Sequence, residues 1–388
     1  MAHIVYSSDS GIDTSPPPRP WAITSDMIID RSPAGFTIFD ATNHRKDVFS
    51  GYDFKFDGNG FPIEGIITEQ HSYNDYGLGE KLLTTVTEWN GDAANYFKSL
   101  TSGDRYFFPG DTIMELGDIG NNNVTTGSGN DTIRGGSGFD IIHGQNGHDY
   151  LIGGQGPDFL YGGAGNDHLY GLSADGGSDF GDYLSGGADD DYLQGNAGDD
   201  TLSGDDGQDR INGGADSDDI SGGAGNDSIN GNRGYDTIEG GDGNDSIRGG
   251  QDDDFINGGS GDDRLSGDLG VDTLSGGAGA DLFVFSGRAS PLADTPDTIA
   301  DYVEGLDHLS LGYTPKAVLT GSVQASLGVA TTTAQQLFNA HQGSAEVAAL
   351  MVGGDTYIFY SSDGGAVVDS AVLISGVTPS AFSVQDFV

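Results

Sequence analysis

The sequence predicts a mostly all-β protein whose central part is a solenoid of short strands. Three observations predict it: an aspartate recurs every nine residues, a large aliphatic residue follows it two places later, and glycine fills most of the space between. The stretch from Gly222 to Gly250 is typical, with Asp227, Asp236 and Asp245 in phase. Each repeat therefore supplies one short strand with one inward-pointing side chain.

Charge and composition narrow the function classes before any motif is considered. The chain has 388 residues, of which 15 are basic and 60 acidic, and a formal net charge of -45. A surface this acidic repels nucleic acids and anionic membranes but attracts cations. Hydrophobic residues make up only 35% of the chain, and no cysteine is available for a disulfide. We therefore expect no nucleic-acid partner and a stabiliser other than a disulfide.

Residues 1–116 are the first of three predicted regions, a β-rich N-terminal domain or cap. The alternating stretch YDFKFDGNGFPIEGIITEQ, with its DGNG turn, predicts a β-hairpin, and residues 92–100 predict one short helix. The start lacks a basic segment followed by an apolar core, and no apolar run approaches about 20 residues. We therefore expect neither a cleaved secretion signal nor a membrane span. A cap would cover the open end of the solenoid, and a ligand-binding face is the alternative.

Residues 117–284 are the repeat region. Seventeen nonapeptides run in phase from Thr126 to Val284, interrupted once by Gly171–Gly176, for which we predict a loop. The sixth position of every repeat is aspartate: Asp131, Asp140, Asp149, Asp158, Asp167, Asp182, Asp191, Asp200, Asp209, Asp218, Asp227, Asp236, Asp245, Asp254, Asp263, Asp272 and Asp281. A disordered acidic linker is the alternative interpretation, and the strict phase over seventeen repeats argues against it.

A repeat of this composition needs a cation to fold. Ordering nine glycine-rich residues costs more free energy than burying one aliphatic side chain returns, and the aspartates repel each other. Calcium prefers about six to eight carboxylate and carbonyl oxygens in a flexible arrangement. Zinc is disfavoured because the chain has no cysteine and no histidine cluster, and magnesium requires a stricter octahedron. We therefore predict calcium as the cofactor and the seventeen aspartates as its ligands.

The pattern G-G-x-G-x-D-x-U-x, where U is a large aliphatic residue, resembles the nonapeptide of the RTX (repeats-in-toxin, haemolysin-type) calcium-binding family. This resemblance implies a parallel β-roll in which two nonapeptides make one turn and calcium binds along two edges. One edge would hold Asp131, Asp149, Asp167, Asp191, Asp209, Asp227, Asp245, Asp263 and Asp281. The other would hold Asp140, Asp158, Asp182, Asp200, Asp218, Asp236, Asp254 and Asp272.

Some repeats depart from this pattern. Other residues replace the second glycine or the later one, at Gln145, Ser178, Asp189, Asn196, Asp205, Asp216, Asn232, Asp252 and Asp268. Asn and Asp tolerate left-handed backbone better than most residues, so we expect these turns to survive and some sites to bind calcium weakly. The segment Gly117–Thr125 is in phase but has Asn122 at the aspartate position, so we interpret it as a first coil without a strong ligand of its own.

Residues 285–388 are predicted to form a small α+β C-terminal cap with a type I secretion signal. The segment 297–311 predicts strands and turns, Thr331–His341 a Thr-capped helix, and the residues around Asp363-Gly364-Gly365 a hairpin. The segment 281–311 is similar to the one that closes the roll in serralysin-type proteins of the family. The final AFSVQDFV resembles the uncleaved signal of type I secretion, and a buried terminal strand is the alternative.

No recognised catalytic motif is present, so we expect no enzymatic activity. The sequence lacks H-E-x-x-H, G-x-S-x-G, a Walker A motif and any cysteine nucleophile. His143, His148 and His168 occupy variable repeat positions, where we expect them to be exposed rather than catalytic.

The resemblance implies export from a Gram-negative cell by the type I secretion machinery, followed by folding in extracellular calcium or at the cell surface. We expect a structural or adhesive role, as a surface layer, matrix component or attachment factor. The partners would be the protein itself, other surface proteins or a polysaccharide. The alternative is a small extracellular enzyme or toxin, in which residues 1–116 act on a polymer or cell-surface target and the roll serves secretion and folding.

Overall fold

The computed structural model describes residues 2–5, 27–32, 35–40, 45–56, 62–74, 112–116, 121–171, 180–285, 295–341 and 346–388. The chain divides into two compact units, Met1–Gly177 and Ser178–Val388. Both units contain short parallel strands that pair with strands eighteen residues away.

The N-terminal part of Met1–Gly177 contains an antiparallel sheet. Its strands are β1 (Ala2–Val5), β2 (Met27–Ser32), β3 (Gly35–Asp40), β4 (Arg45–Phe56) and β5 (Pro62–Asn74), and they pair in chain order. The hairpin predicted at the DGNG turn is confirmed, because β4 and β5 pair with Phe56 opposite Pro62. The helix predicted at 92–100 lies outside the described residues. The capping role of this region stays a prediction.

The same unit then forms a parallel stack. Its strands are β6 (Ile113–Glu115), β7 (Asn122–Thr125), β8 (Thr132–Ser137), β9 (Asp140–Asn146), β10 (Tyr150–Gln155), β11 (Phe159–Ala164) and β12 (His168–Tyr170). The strands β6, β8, β10 and β12 form one sheet, and β7, β9 and β11 form the other. Because β6 pairs with β8, parallel stacking is already present at Ile113, inside the region predicted as N-terminal.

The unit Ser178–Val388 continues with twelve strands of the same kind. They are β13 (Tyr183–Ala188), β14 (Tyr192–Ala197), β15 (Thr201–Asp206), β16 (Arg210–Ala215), β17 (Asp219–Ala224), β18 (Ser228–Arg233), β19 (Thr237–Asp242), β20 (Ser246–Gln251), β21 (Phe255–Ser260), β22 (Arg264–Leu269), β23 (Thr273–Ala278) and β24 (Leu282–Val284). The strands β14 to β24 with even numbers form one parallel sheet, here called the even sheet. The strands β13 to β23 with odd numbers form the other, the odd sheet. Of the predicted loop Gly171–Gly176, only Gly171 is described.

The eighth residue of each repeat forms the core of both stacks. Ile211, Ile229, Ile247 and Leu265 lie opposite one another on successive strands of the even sheet, and each is at most 2% exposed. Because side chains alternate between the faces of a strand, the residues on either side of each aliphatic point outward. The predicted parallel β-solenoid is confirmed, with a narrow core one aliphatic side chain deep per strand.

The glycine replacements at the turns keep left-handed backbone. Gln145, Asp189, Asn196, Asp205, Asp216, Asn232, Asp252 and Asp268 all have φ between 67° and 84°. The expectation that these turns survive is confirmed for those eight residues, and Ser178 lies outside the described residues. At Asn232 the side-chain amide donates to the carbonyl of Asn230, a local bond that supports the turn.

The C-terminal part of Ser178–Val388 is mixed α and β. It contains β25 (Asp297–Ile299), β26 (His308–Ser310), β27 (Ala317–Thr320), α1 (Leu327–His341), β28 (Glu346–Val352), β29 (Asp355–Tyr360) and β30 (Ser370–Ile374). The strands β25 and β26 extend the odd and even sheets, respectively. The predicted hairpin is confirmed, since β29 pairs antiparallel with β30. The core beside α1 includes Phe338, Leu350 and Phe359.

The predicted start of the helix is wrong by four residues. The helix begins at Leu327, and the Ser326 hydroxyl accepts a bond from the N–H of Val329. Thr331 lies inside the helix, where its hydroxyl donates to the Leu327 carbonyl. A threonine satisfied by the carbonyl four residues earlier is no cap, and sequence spacing alone does not separate these two uses.

The residues at the end of the chain form a packed 3-10 turn rather than a terminal strand. The turn is Val384–Asp386, and the Ser383 N–H and hydroxyl both donate to the Asp386 carboxylate. Phe387 is 3% exposed and bridges to Leu309 of β26. Among the residues that the structure describes, no helix is long and apolar enough to cross a bilayer.

Candidate metal centres

Every aspartate at the sixth repeat position is buried at a turn between the two sheets. All seventeen are at most 3% exposed. In thirteen of them the backbone N–H donates to the Oδ1 of the aspartate eighteen residues later. Asp131 donates to Asp149 at 2.7 Å, and Asp149 donates to Asp167 at the same distance. These bonds tie successive coils together along one edge.

The structure brings the predicted residues together on two edges within each unit. In Met1–Gly177 the ladders run through Asp131, Asp149 and Asp167, and through Asp140 and Asp158. In Ser178–Val388 one ladder runs through Asp191, Asp209, Asp227, Asp245, Asp263 and Asp281. The other runs through Asp182, Asp200, Asp218, Asp236, Asp254 and Asp272. The predicted pairing of aspartates by edge agrees with this geometry, and their role as metal ligands stays a prediction.

In twelve of these aspartates the second carboxylate oxygen has no hydrogen-bond partner. The atom Oδ2 is buried and unbonded at Asp131, Asp140, Asp149, Asp209, Asp218, Asp227, Asp236, Asp245, Asp254, Asp263, Asp272 and Asp281. A buried, unpaired anionic oxygen is strongly unfavourable, and native proteins rarely keep one without a counter-charge. A repeated set of such atoms therefore indicates a repeated positive ligand.

In fourteen repeats the glycine at the first position keeps a space open beside this oxygen. A Cβ placed on Gly135 would collide with Asp140 Oδ2 and lie 2.5 Å from the carbonyl oxygen of Gly153. The same collision with Oδ2 occurs at Gly231, where the Cβ would also lie 2.7 Å from the Gly249 oxygen. We call this space, bounded by the first-position residue, the Oδ2 of its repeat and the carbonyl eighteen residues later, the cradle. The glycine is needed here because it leaves the cradle free, and not because of its backbone angle.

The electrostatics of the cradle favour a cation. Burial raises the pKa of the Asp218 and Asp254 carboxyls to about 8, and the neighbouring Asp236 carboxylate adds to the rise at both. Burial likewise raises the pKa of Asp131 and Asp209 to about 7. Carboxyls that resist ionisation in this way lack compensating positive charge, which a divalent cation would supply.

The donor set is that of a hard cation. Each cradle offers carboxylate and carbonyl oxygens, which suit calcium, and neither thiolate nor imidazole. Within the described ranges, no three side chains of His, Cys, Asp or Glu converge on one point. A bound ion would therefore depend on backbone carbonyls as much as on the aspartates. The residues present fit calcium.

Two aspartates outside the nonapeptides extend the ladders, and sequence analysis missed them. Asp297 Oδ1 accepts the N–H of Asp272 at 3.1 Å, and Asp307 Oδ1 accepts that of Asp281 at 3.1 Å. At Asp307 the other oxygen accepts the N–H of Val303, so a backbone donor takes the role of a counter-charge there. The signal was present in the sequence, because each is followed two residues later by an aliphatic, Ile299 and Leu309.

The three histidines of the repeats lie away from the cradles. His148 and His168 are exposed, as expected, and His148 Nδ1 accepts the N–H of Asn166. The expectation that His143 is exposed is wrong, because its ring is half-buried and stacks on Tyr161 with 4.5 Å between ring centroids. Nothing in this arrangement assigns them a chemical task.

One family model matches the repeat region of this chain, and two solved structures resemble part of the chain. The model of the RTX calcium-binding nonapeptide repeat family matches residues 116–151, 143–175, 176–211, 203–238, 221–256, 236–265 and 248–283. The AlgE6R3 subunit of the Azotobacter vinelandii mannuronan C5-epimerase is a structural neighbour, with 26% identity, 45% of this chain and 78% of that chain covered, and a TM-score of 0.25. The extracellular lipase LipA of Serratia marcescens is another, with 16% identity, 65% of this chain and 40% of that chain covered, and a TM-score of 0.21. A comparison with curated proteins gave no match.

Proposed function

From residues 116–283, which carry RTX calcium-binding nonapeptide repeats, we propose that this is a secreted protein that folds in extracellular calcium and has a structural or adhesive role without catalysis. The observation that carries the calcium step is the set of eleven buried aspartate Oδ2 atoms without a hydrogen bond in repeats that begin with glycine. Such carboxylates, when ionised, are strongly unfavourable without positive charge between the coils.

Calcium couples folding to location. A ligand that binds only the folded chain stabilises it by RT ln(1 + [L]/Kd) per site, and the effect adds over many sites. Cytosolic calcium is scarce, so the repeats stay unfolded and can pass through the type I secretion machinery. Outside the cell calcium is abundant, and the roll closes. Phe387 is 3% exposed and forms a β-bridge with Leu309, so a secretion signal in this segment would be accessible only before folding.

The adhesive role is supported by the opposite charges of the two sheets in Ser178–Val388. The arginines within β13 to β24 all lie on the even sheet and are exposed: Arg210, Arg233, Arg248 and Arg264. The strands β13 to β23 of the odd sheet carry no basic residue. They carry five exposed carboxylates: Asp205, Asp206, Asp219, Glu239 and Asp242. In a chain with four times as many acids as bases, this separation makes the even sheet a distinct surface.

Amide side chains accompany these arginines. Gln194, Asn212, Asn230 and Arg248 occupy one in-register row across β14, β16, β18 and β20. Beside this row lies a groove of about 340 Å³ that Arg233 also lines. The row has a repeat of about 4.8 Å, the distance between paired strands.

This chemistry fits an acidic polysaccharide as the partner. Guanidinium groups bind carboxylates in two-point geometry, and amides donate to and accept from sugar hydroxyls. Cations in the cradles would offset much of the aspartate charge, which lowers the long-range repulsion of an anionic polymer. A rigid periodic face can contact several successive sugars, and each contact adds to the avidity.

The folding step is tested by far-UV circular dichroism of the purified chain, first in chelator and then titrated with calcium, with magnesium as control. We expect a cooperative gain of β signal with calcium alone. A chain already folded in chelator, or indifferent to calcium, would overturn the folding mechanism.

The adhesive step is tested by retention of the calcium-loaded chain on an immobilised polyuronate. The triple variant Arg210→Gln, Arg233→Gln, Arg264→Gln is expected to lose at least about tenfold in affinity, since each ion-assisted contact contributes about 1 kcal/mol or more. The matched control Glu239→Gln with Asp242→Asn alters the odd sheet and should bind as well as the parent. Equal retention of the triple variant, or concentration-dependent self-association in place of retention, would contradict the polysaccharide proposal.

A further inference from the structure

The first nonapeptide differs from all the others at its first position. Sixteen of the seventeen repeats begin with glycine, and the repeat of Asp131 begins with Thr126. Glycine is needed at this position because any Cβ there enters the cradle, as at Gly135 and Gly231. A threonine at this position is therefore a change inside the candidate metal centre and not a surface variation.

The Thr126 side chain lies in the cradle. Thr126 is 0% exposed, and its hydroxyl donates to the carbonyl of Gly144 at 2.7 Å. Gly144 lies eighteen residues later, as Gly153 does relative to Gly135, so this carbonyl is the one that bounds the cradle. The same hydroxyl also lies 3.1 Å from the carbonyl oxygen of His143.

The other edge also begins with a neutral side chain. Asn122 stands at the sixth position of the first coil, where all later repeats have aspartate. Its backbone N–H and its side-chain amide both donate to Asp140 Oδ1, at 2.8 and 2.7 Å. The amide nitrogen also lies 3.4 Å from the carbonyl oxygen of Gly135. In this coil a protein N–H therefore contacts the carbonyl that an ion would contact in later coils.

We propose that Thr126 takes the place of a calcium ion, so that the cradle of Asp131 binds no metal and the first coil is closed by the chain itself, with Asn122 closing the opposite edge. This inference rests on the proposed calcium binding of the other repeats. The physical basis of the proposal is volume, because the threonine methyl and hydroxyl groups fill the cradle. The hydroxyl also donates a hydrogen bond to the Gly144 carbonyl, which is then less available to an ion.

Such a closure suits the end of an array. An ion between two internal coils takes oxygens from both, whereas an outermost coil has a neighbour on one side only. A covalently attached hydroxyl is already in place and loses less freedom than a free ion would. The first coil would then be ordered without calcium and would give the next coil a template to pair with.

The test counts calcium ions per full-length chain by equilibrium dialysis with radioactive calcium. Thr126→Gly opens the cradle and is expected to bind one ion more than the parent. Thr132→Gly, on the outward face of β8, is the matched control and should bind the same number. The reciprocal variant Gly135→Thr closes the cradle of Asp140 and is expected to bind one ion fewer.

The outcomes separate this inference from the proposed function. If the parent binds no calcium, the proposed function fails. If the parent binds calcium and a folded Thr126→Gly variant binds the same number, the inference about Thr126 fails alone. Should Thr126→Gly not fold, as judged by circular dichroism in saturating calcium, the Gly135→Thr count decides, and an unchanged count overturns the proposal.

Discussion

The backbone N–H of Asp227 donates a 2.8 Å hydrogen bond to Oδ1 of Asp245, eighteen residues further along the chain. The other oxygen of Asp245 is buried without a partner, next to the space that Gly240 leaves open. The two oxygens of one carboxylate therefore have separate tasks. One joins neighbouring coils, and the other is available for an ion.

Separating these tasks by mutation gives the first prediction. Asp245→Asn retains an oxygen for the Asp227 N–H and loses the charge, so we expect it to raise the calcium concentration at the folding midpoint several-fold. Asp245→Ala also leaves that N–H buried and unpaired, which should cost a further ~1–3 kcal/mol. Circular dichroism during calcium titration measures both effects. Asp242→Asn, at an exposed position of β19, is the control, and equal midpoints for all four chains would refute the division of tasks.

The cradle gives the second prediction. Gly231→Ala should bind fewer calcium ions and lose ~1–3 kcal/mol of stability in calcium, because its Cβ would collide with Asp236 Oδ2 and crowd the Gly249 carbonyl. Gly354→Ala is the matched control, since nothing lies within 4 Å of its Cβ and its backbone is not left-handed. Urea unfolding in saturating calcium compares the two. A Gly231→Ala variant as stable as the control would show that the space has no function.

The third prediction concerns acid and the metal-free chain. Burial raises the pKa of Asp218 and Asp254 to about 8 and that of Asp140 to about 6, from an ordinary value of 3.8. A carboxyl whose pKa is higher in the folded chain than in the unfolded chain stabilises the folded chain at pH values below its unfolded pKa. This stabilisation is lost as the pH rises through the folded pKa values, about 6 to 8. In chelator we therefore expect β signal to increase as the pH falls from about 8 to about 5.

Folding induced by calcium should depend on pH in the opposite direction and weaken as the pH falls. An ion binds the ionised carboxylates, so protons compete with it as the pH falls through the same range. The calcium midpoint should therefore rise steadily from about pH 8 to about pH 6. A midpoint that does not change with pH would contradict the view that the buried aspartates hold the ion.

The fourth prediction concerns the core and uses two leucines of β22. Leu265 is fully buried in the aliphatic row, and Leu269 is 56% exposed. In saturating calcium, Leu265→Ala should cost ~2–5 kcal/mol because it leaves a cavity between stacked coils. Leu269→Ala should change stability by less than ~0.5 kcal/mol. Urea unfolding measures the loss of stability in each variant. Similar losses for Leu265→Ala and Leu269→Ala would contradict the view that the buried aliphatic row stabilises the stack.

The phase of Asp and aliphatic residues was enough to predict the solenoid and both edges. Period-nine spacing fixes which residues share an edge. Once one aliphatic residue is known to point into the core, the same spacing places every later one there without further structural information. The role of the first-position glycine could not be read in this way. Its backbone is ordinary at Gly135, and only the three-dimensional approach of Asp140 and Gly153 explains why a side chain is excluded.

The ends of the array were less predictable because they depart from the period. Asp297 and Asp307 lie 25 and 26 residues after their partners instead of eighteen, so a search by spacing passes over them. The helix start at Leu327 was missed for a different reason. Three consecutive threonines, beginning at Thr331, can cap a helix or bond within it, and burial of Ala330 and Phe338 selects the longer helix.

The alternation of strands between an arginine-bearing sheet and an acidic one gives the roll a parity. Eighteen residues added or removed inside the array would leave every later strand on its own sheet. Nine residues would move all of them to the opposite one, so that Arg248 and Arg264 would join Asp205 and Asp219. The sixth-position aspartates would remain in phase after either change, whereas the pattern of surface charge would survive only the first. Lengthening this protein, by evolution or by design, therefore preserves its charged faces only in whole turns.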